Sequence, residues 1–367
     1  MTFKHLFSRA LAANPGRLHF AAHSHHLWPD ASHDGQMAAW EDAAQLADHK
    51  WDKVFGEAIP EAQGHIAREL ALPDPATIAF APNTHDFLVR IVSALPMAKP
   101  RILASDGEFH SFRRQAVRWA EEERIELIMV PLVRLAETAS SGQFDLIFTS
   151  QVQFNSGTVL NGIADLASLA RPEGPWVVID GYHGFMAIPT DLSAVADRIF
   201  YLAGGYKYAM AGEGICFLHA PPGFAPRPQT TGWYAAFDDL AAQQGGVGYA
   251  LDGRRFLGST FDPSGLYRFN AVRNMLDREG LDTAAISAHC HALKAALLDA
   301  NPWPNLTLLS DPAARFVAFQ GAAAPAIHAA LTARNVVTDL RGDVLRIGFG
   351  LYQDQADVEA LLGRLNS

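Results

Sequence analysis

A chain of 367 residues can bury a large core, and its length favours about two domains. The net charge of −10, with no block of Lys or Arg, argues against nucleic acid or an anionic membrane surface as the main partner. Two cysteines, Cys216 and Cys290, make neither a disulfide framework nor a CxxC metal pair, and no apolar run approaches the roughly 20 residues of a membrane-spanning helix. The expected compartment is the cytoplasm.

The N-terminal MTFKHLFSRALAANPG reads as a short amphipathic helix ended by Asn14-Pro15-Gly16, without the apolar core of a signal peptide. A short strand over 17–20 leads into the unusual HSHHLWPD stretch. Helical periodicity follows over about 32–70, with Trp40, Trp51 and Phe55 as candidate core residues. A strand over 77–80 precedes Asn83-Thr84, which can cap a helix carrying Phe87, Leu88, Ile91, Val92 and Leu95. Strands are then expected over 101–104, 125–130, 145–150, 176–179, 198–202 and 214–218. Helices fall between several of them, notably over 111–123 and 165–170. This alternation predicts an α/β fold, a mostly parallel sheet covered by helices on both faces.

The pattern changes after about Pro221. Residues 221–262 are loop-rich, with PPGFAPRPQTTGW and QQGGVG marking irregular backbone. Two long helices are expected over 266–278 and 283–299, broken by Asn301-Pro302-Trp303-Pro304. The remainder alternates again, with strands over 306–309, 315–318, 336–339 and 344–347 and helices over 325–333 and 354–365. The expected organisation is an N-terminal segment 1–30 packed with a smaller α+β domain 263–367, and a large domain 31–262.

The chemistry concentrates between Trp176 and Leu218. The run Trp176-Val177-Val178-Ile179 ends on Asp180, at a strand's carboxyl end, where open α/β sheets place ligand-binding groups. His183 follows, and a second strand leads into Gly204-Gly205-Tyr206-Lys207-Tyr208. An acid, an imidazole and a glycine-flanked lysine in succession suit a cofactor held covalently by the lysine. Pyridoxal 5'-phosphate (PLP) has these needs: an amine for its aldehyde, an acid for its pyridine nitrogen, a flat platform and a cradle for its phosphate. Asp180 can face the nitrogen and His183 the ring hydroxyl or the lysine linkage. Asn83 and Thr84, at a helix start, can hold the phosphate, Phe109 can stack on the ring, and Tyr206 can donate its hydroxyl to the phosphate. Each residue has an ordinary alternative: a turn cap for Asp180, a surface run for Tyr-Lys-Tyr, core packing for Phe109.

The motifs resemble the fold-type-I PLP enzymes of aminotransferase class V, and among these most of all the kynureninases. DGYH (Asp180–His183) is similar to the family's D-x-x-H, and YKY followed by AGEG resembles its lysine segment and glycine-rich exit. GEFHS resembles E-F-P-S, whose Phe stacks on the ring, and SQVQFNSGTVL is similar to a run that begins with a cofactor-binding serine, here Ser150. TGW resembles the G-W that reaches the phosphate from the dimer partner, here Trp233. RRFLGST falls where the family has R-F-x-x-S-N-P, with Thr260 in place of its asparagine. LRIGFGLY is similar to the arginine motif that binds the substrate carboxylate, here Arg346. Phe112 replaces the family's Asp after F-P-S, and AAHSHHLW replaces its G-N-S-L-G-like loop.

The resemblance implies a large domain with a seven-stranded-type, mostly parallel sheet, a smaller C-terminal domain and a homodimer with shared active sites. It also implies cleavage of the Cβ–Cγ bond of L-kynurenine or 3-hydroxykynurenine to an anthranilate and L-alanine, with Lys207, Asp180 and His183 catalytic. The alternative is a class V aminotransferase, epimerase or β-lyase acting on another amino acid. The HSHH loop reads as substrate-facing, with His25 and His26 bordering the pocket; an extended segment would put His23 and His25 on one face, but no acid or cysteine stands at ligand spacing to complete a metal site. A desulfurase would need a cysteine in a mobile loop of the later chain, whereas Cys216 and Cys290 both read as buried.

Overall fold

The computed structural model describes residues 2–239 and 245–365, which leaves Gln243 and Gln244 of the QQGGVG stretch outside the described residues. The elements run, in chain order, α1 (Ser8–Ala12), β1 (Leu18–His19), α2 (Asp30–Leu46), α3 (Lys50–Lys53), α4 (Ile59–Leu70), β2 (Ile78–Ala81), α5 (Thr84–Ser93), β3 (Arg101–Ser105), α6 (His110–Glu121), β4 (Glu126–Val130), α7 (Leu132–Ser141), β5 (Leu146–Ser150), α8 (Ile163–Leu169), β6 (Trp176–Asp180), β7 (Ile199–Gly204) and β8 (Cys216–His219). There follow α9 (Ser264–Arg278), α10 (Thr283–Ala300), β9 (Thr307–Leu308), β10 (Phe316–Gln320), α11 (Ala324–Ala333), β11 (Val336–Val337), β12 (Asp339–Arg341), β13 (Val344–Gly348) and α12 (Gln355–Leu365).

Seven strands form one sheet in the order β2-β8-β7-β6-β5-β3-β4. Pairing is parallel from β7 to β4, while β8 runs antiparallel to both β7 and β2. Because β8 reverses direction twice, β2 points the same way as the parallel strands. The carboxyl ends of β2, β3, β5, β6 and β7 therefore share one edge. β5 and β7 are buried along their length and β6 as far as Ile179, which explains why these strands read as largely apolar runs.

A second, antiparallel sheet has the order β12-β13-β10-β9. The N-terminal segment reaches it through the parallel pair β1–β11 and a bridge from Ala21 to Gly348. The expected strand over 336–339 is two short strands, and the helix α7 was not anticipated, because LVRLAETASS mixes good helix formers with a polar tail.

The expected helix over 32–70 breaks at Ala47, whose φ of 51° lies in the left-handed region, and resumes fully only at α4. Trp40 lies off the face of α2 that buries Ser32 and Gly35 and is 64% exposed, so it is no core residue; Trp51 and Phe55 do pack against the core. Before the break, α2 lies along α9 at a crossing that only a glycine permits. A Cβ on Gly35 would come 2.5 Å from the Tyr267 carbonyl oxygen and 2.8 Å from the Arg268 Cα. Gly35→Ala must push two backbones apart and is expected to cost about 1–3 kcal/mol. A lowered urea midpoint would register that loss; an unchanged midpoint would show that the helices can separate freely.

Candidate active site

The shared strand edge brings the residues singled out in the sequence to one cavity of about 440 Å³. Asn83, Thr84, Phe109, Ser150, Asp180, His183, Tyr206 and Lys207 all contribute to its wall, with His85, Ser111, Phe154 and Tyr182. They arrive from five different strand ends, so no local segment could have assembled the cavity alone.

Lys207 follows β7 and the Gly204-Gly205 turn. A side chain at Gly204 would strike the Cys216 sulfur at 2.5 Å and the Tyr182 hydroxyl at 2.7 Å, so the lysine segment can press close to β8 only without one. The Lys207 amine shares a 2.7 Å hydrogen bond with His183 Nε2 and lies 4.9 Å from the centre of the Tyr182 ring. Burial, reinforced by the Arg346 charge and partly offset by Asp180, brings the Lys207 pKa down to about 7. Burial, with the positive charge of Lys207, holds His183 well below its ordinary value, so it stays neutral. Burial pushes Asp180 up to about 6, against the opposing pull of the Tyr182 N–H, which donates to its carboxylate at 2.9 Å, and of Lys207.

The remaining wall suits PLP by its chemistry. Asn83 caps α5, its side-chain oxygen accepting from the Asp86 N–H at 2.9 Å, and this helix start turns a positive dipole end to the cavity. Phe109 is 38% exposed although it meets Phe154 edge-on at 5.2 Å, which leaves a ring face open to a planar guest. Ser150 donates its hydroxyl to Glu108 at 2.5 Å, and its N–H donates to the same carboxylate at 2.9 Å. An acid, an amine, an aromatic face and a helix start within one cavity make a set that fits the cofactor.

Glu108 escaped the sequence reading. It is 2% exposed, and burial drives its pKa to about 7 although Ser105 and Ser150 both donate to it. Its signal was the glutamate of the GEFHS run, which falls on the E of E-F-P-S but was given no role there.

Other expected residues lie outside the cavity wall. Arg346 stands across β12–β13 from Asp339, which takes its Nε at 2.7 Å and its Nη2, while Nη1 donates to the Phe154 carbonyl. Arg346 is thus 2% exposed behind the cavity's Phe154. His25 meets the Tyr206 ring edge-on at 5.3 Å and borders the site. His26 does not: its ring is buried between Phe7 and Tyr352, with Nδ1 2.7 Å from the Leu27 carbonyl. The HSHH stretch turns rather than extends, the N–H groups of Ser24 and His25 both donating to the Ala21 carbonyl, so strand alternation misplaced its histidines. His23 stacks on Phe316 at 4.7 Å, fully buried. Trp233, 44% exposed, and Thr260, also exposed, lie away from this chain's cavity. Neither cysteine reaches it, and burial raises the Cys216 thiol to about 12.

With its pKa near 7, Lys207 becomes a free amine across a range where an ordinary lysine stays charged. Covalent uptake of PLP by cofactor-free protein, followed by absorbance, is expected to speed up about tenfold between pH 6 and pH 8 and then level off. A rate that keeps climbing to pH 10 would contradict the buried-amine assignment.

Comparison with known proteins places this site in a family. Residues 33–361 match the model for Aminotransferase class-V. Over 194 residues the chain is 32% identical to an isopenicillin N epimerase of Streptomyces clavuligerus, a match that covers 49% of this chain and 48% of the epimerase, about half its length. Over 350 residues it is 24% identical to a probable cysteine desulfurase of Vibrio cholerae, covering 83% of this chain and 81% of that protein. The fold is shared with C-DES: a mutant with glycine covalently linked to its PLP cofactor superimposes with a TM-score of 0.85 at 19% identity, covering 100% and 99% of the two chains. C-DES is also solved as a cystine C-S lyase with its product cysteine persulfide, which superimposes with a TM-score of 0.82 at 18% identity, covering 98% of each chain. The chain belongs to the aminotransferase class-V family of fold-type-I enzymes that depend on pyridoxal 5'-phosphate.

Proposed function

We propose that this chain is a PLP-dependent β-lyase, which breaks the Cα–H bond of an amino acid and expels a substituent from Cβ. The observation that carries the reading is the Lys207 amine, 2.7 Å from a neutral His183 in a cavity that Asp180 also lines. When bound, the cofactor supplies an electron sink for the negative charge left at Cα. Lys207 takes the α-proton at its Nζ, and His183 orients that amine without competing for the proton. Asp180 would hold the ring nitrogen's charge, Phe109 would pack on the ring, and Ser150 and Tyr206 would complete the contacts. Asn83 and Thr84, at the start of α5, would hold the phosphate.

In the same reading, a homodimer brings Trp233 and Thr260 to the partner's phosphate, from the exposed surface they occupy in one chain. Arg346 then fixes the substrate carboxylate by giving up its Nη1 contact with the Phe154 carbonyl, and His25 lines the entrance. The division into 31–262 and 263–367, with 1–30 joined to the latter, completes the proposal.

The likenesses to a C-S lyase and a desulfurase favour elimination at a carbon–sulfur bond. A persulfide-forming desulfurase needs its own nucleophilic cysteine, and Cys216 and Cys290 are both buried away from the cavity. Epimerisation is the second reading, favoured by the relative at 32% identity. The kynurenine-cleaving activity that the motifs suggested finds no counterpart among these relatives, and His26, expected at its aromatic pocket, is buried elsewhere.

Three assays on the holoprotein separate the branches: pyruvate from L-cystine or S-methyl-L-cysteine, inversion of L-amino acids at Cα in deuterated water, and alanine from L-kynurenine. Pyruvate is expected, and Lys207→Ala should slow its release by at least roughly 10²–10⁴-fold. Inversion without pyruvate would shift the assignment to the epimerase reading, and alanine from kynurenine would restore the hydrolase. Asp180→Asn, which removes the negative charge facing the ring nitrogen, should still take up cofactor yet lose most of its turnover.

A further inference from the structure

The cofactor cavity does not end at Phe109. His85 and Ser111 line it and also line a wider groove of about 970 Å³ on the outer face of α6, so the two spaces meet at these side chains. A planar cofactor with its phosphate would fill much of the inner space. The distal part of an amino acid attached there has this groove to enter.

The groove is built by helical spacing. His110, Arg113, Arg114, Val117 and Arg118 stand on one side of α6, while Phe112, Ala116 and Trp119 pack inward. Its cations differ in what they already hold. Arg118 is neutralised by Glu121 and Glu122, at 3.4 and 2.5 Å. Arg113 donates only to the Asp106 backbone carbonyl, at 3.3 Å, and among the described residues neither Arg113 nor Arg114 has an acidic partner. Two unmatched guanidinium groups beside the cavity stand out in a chain of net charge −10. They also lie in the first turns of α6, where the helix dipole adds to their field. Inside, Arg346 has its Nε and Nη2 taken by Asp339 and its Nη1 bonded to the Phe154 carbonyl, which leaves it room for one carboxylate at most.

We propose that this groove is a subsite for the anionic end of an extended amino-acid substrate, a carboxylate, sulfonate or phosphate held by Arg113 and Arg114. The inference rests on the reading of the inner cavity as an amino-acid site. It adds the substrate class: amino acids whose side chain ends in a negative charge.

Pairs of ligands matched in shape and differing by one charge test it. L-Glutamate with L-glutamine, and S-carboxymethyl-L-cysteine with S-carbamoylmethyl-L-cysteine, are titrated into the holoprotein while the cofactor absorption band is followed. The acid of the longer pair is expected to bind about tenfold more tightly than its amide, with the gap narrowing as salt is raised. In Arg113→Ala/Arg114→Ala the preference should vanish while affinity for the amides is unchanged; both positions are exposed, so the fold should tolerate the change. Equal affinity within both pairs, or a preference that survives the double substitution, would overturn the subsite and leave the inner cavity's role intact. If none of the four ligands perturbs the band, the amino-acid reading of the cavity itself falls, and the subsite with it.

Discussion

Placing a lysine amine in a buried cavity is costly unless nearby groups make either its charged or its neutral form tolerable. Here the balance is struck between Asp180, which favours the charge, and burial with Arg346, which oppose it. The result is an amine poised between both forms near neutrality, beside an imidazole that remains neutral. In the proposed reading that balance decides the chemistry: the same group must be nucleophilic enough to hold a cofactor and basic enough to move a proton. Asp180 contributes to both, because its carboxylate supports the lysine's charge and is available to a pyridine nitrogen.

The sheet makes this proximity possible. Its double reversal at β8 keeps β2 in step with the parallel strands, so the capped start of α5 faces the same edge as Asp180 and Lys207. One ladder sets Ser150 opposite Asp180 directly, and Glu108 fastens Ser150 from behind through two hydrogen bonds. The antiparallel β12–β13 pair likewise sets Asp339 opposite Arg346, which holds a buried guanidinium that would otherwise have no counter-charge there. Strand register, more than loop conformation, is what holds the charged groups in place.

Relatives within class V carry different activities, an epimerase and a probable desulfurase among them, so the acid, the imidazole and the lysine do not by themselves select the reaction. The branches differ in what surrounds the departing group. In this chain those surroundings are aromatic on the inside, from Phe154, Tyr182 and Tyr206, and cationic on the outside along α6. Both cysteines are buried and neither lines the cavity.

The chain's own residues determined a good part of this before any fold was built. An apolar run that stops on Asp180, an imidazole three residues later and a lysine after a glycine pair are local features, and local pattern suffices to read strand ends and caps. Motif likeness extended that reading to the family but leaned towards kynureninase, since Asp180 and Lys207 are common to every branch. What only the tertiary structure decided involves breaks, turns and strand pairings that residue spacing does not encode. The helix ends at Ala47, because periodicity cannot see a left-handed residue that interrupts it, and packing on α9 buries Gly35 while Trp40 stays exposed. The turn at Ala21 sent His26 into the core and left His25 beside Tyr206. Glu108 gained its meaning from Ser150, and Arg346 from Asp339, through contacts that arise only when separate strands are set side by side. Sequence spacing places a side chain on a face; the charge that meets it there is chosen by packing.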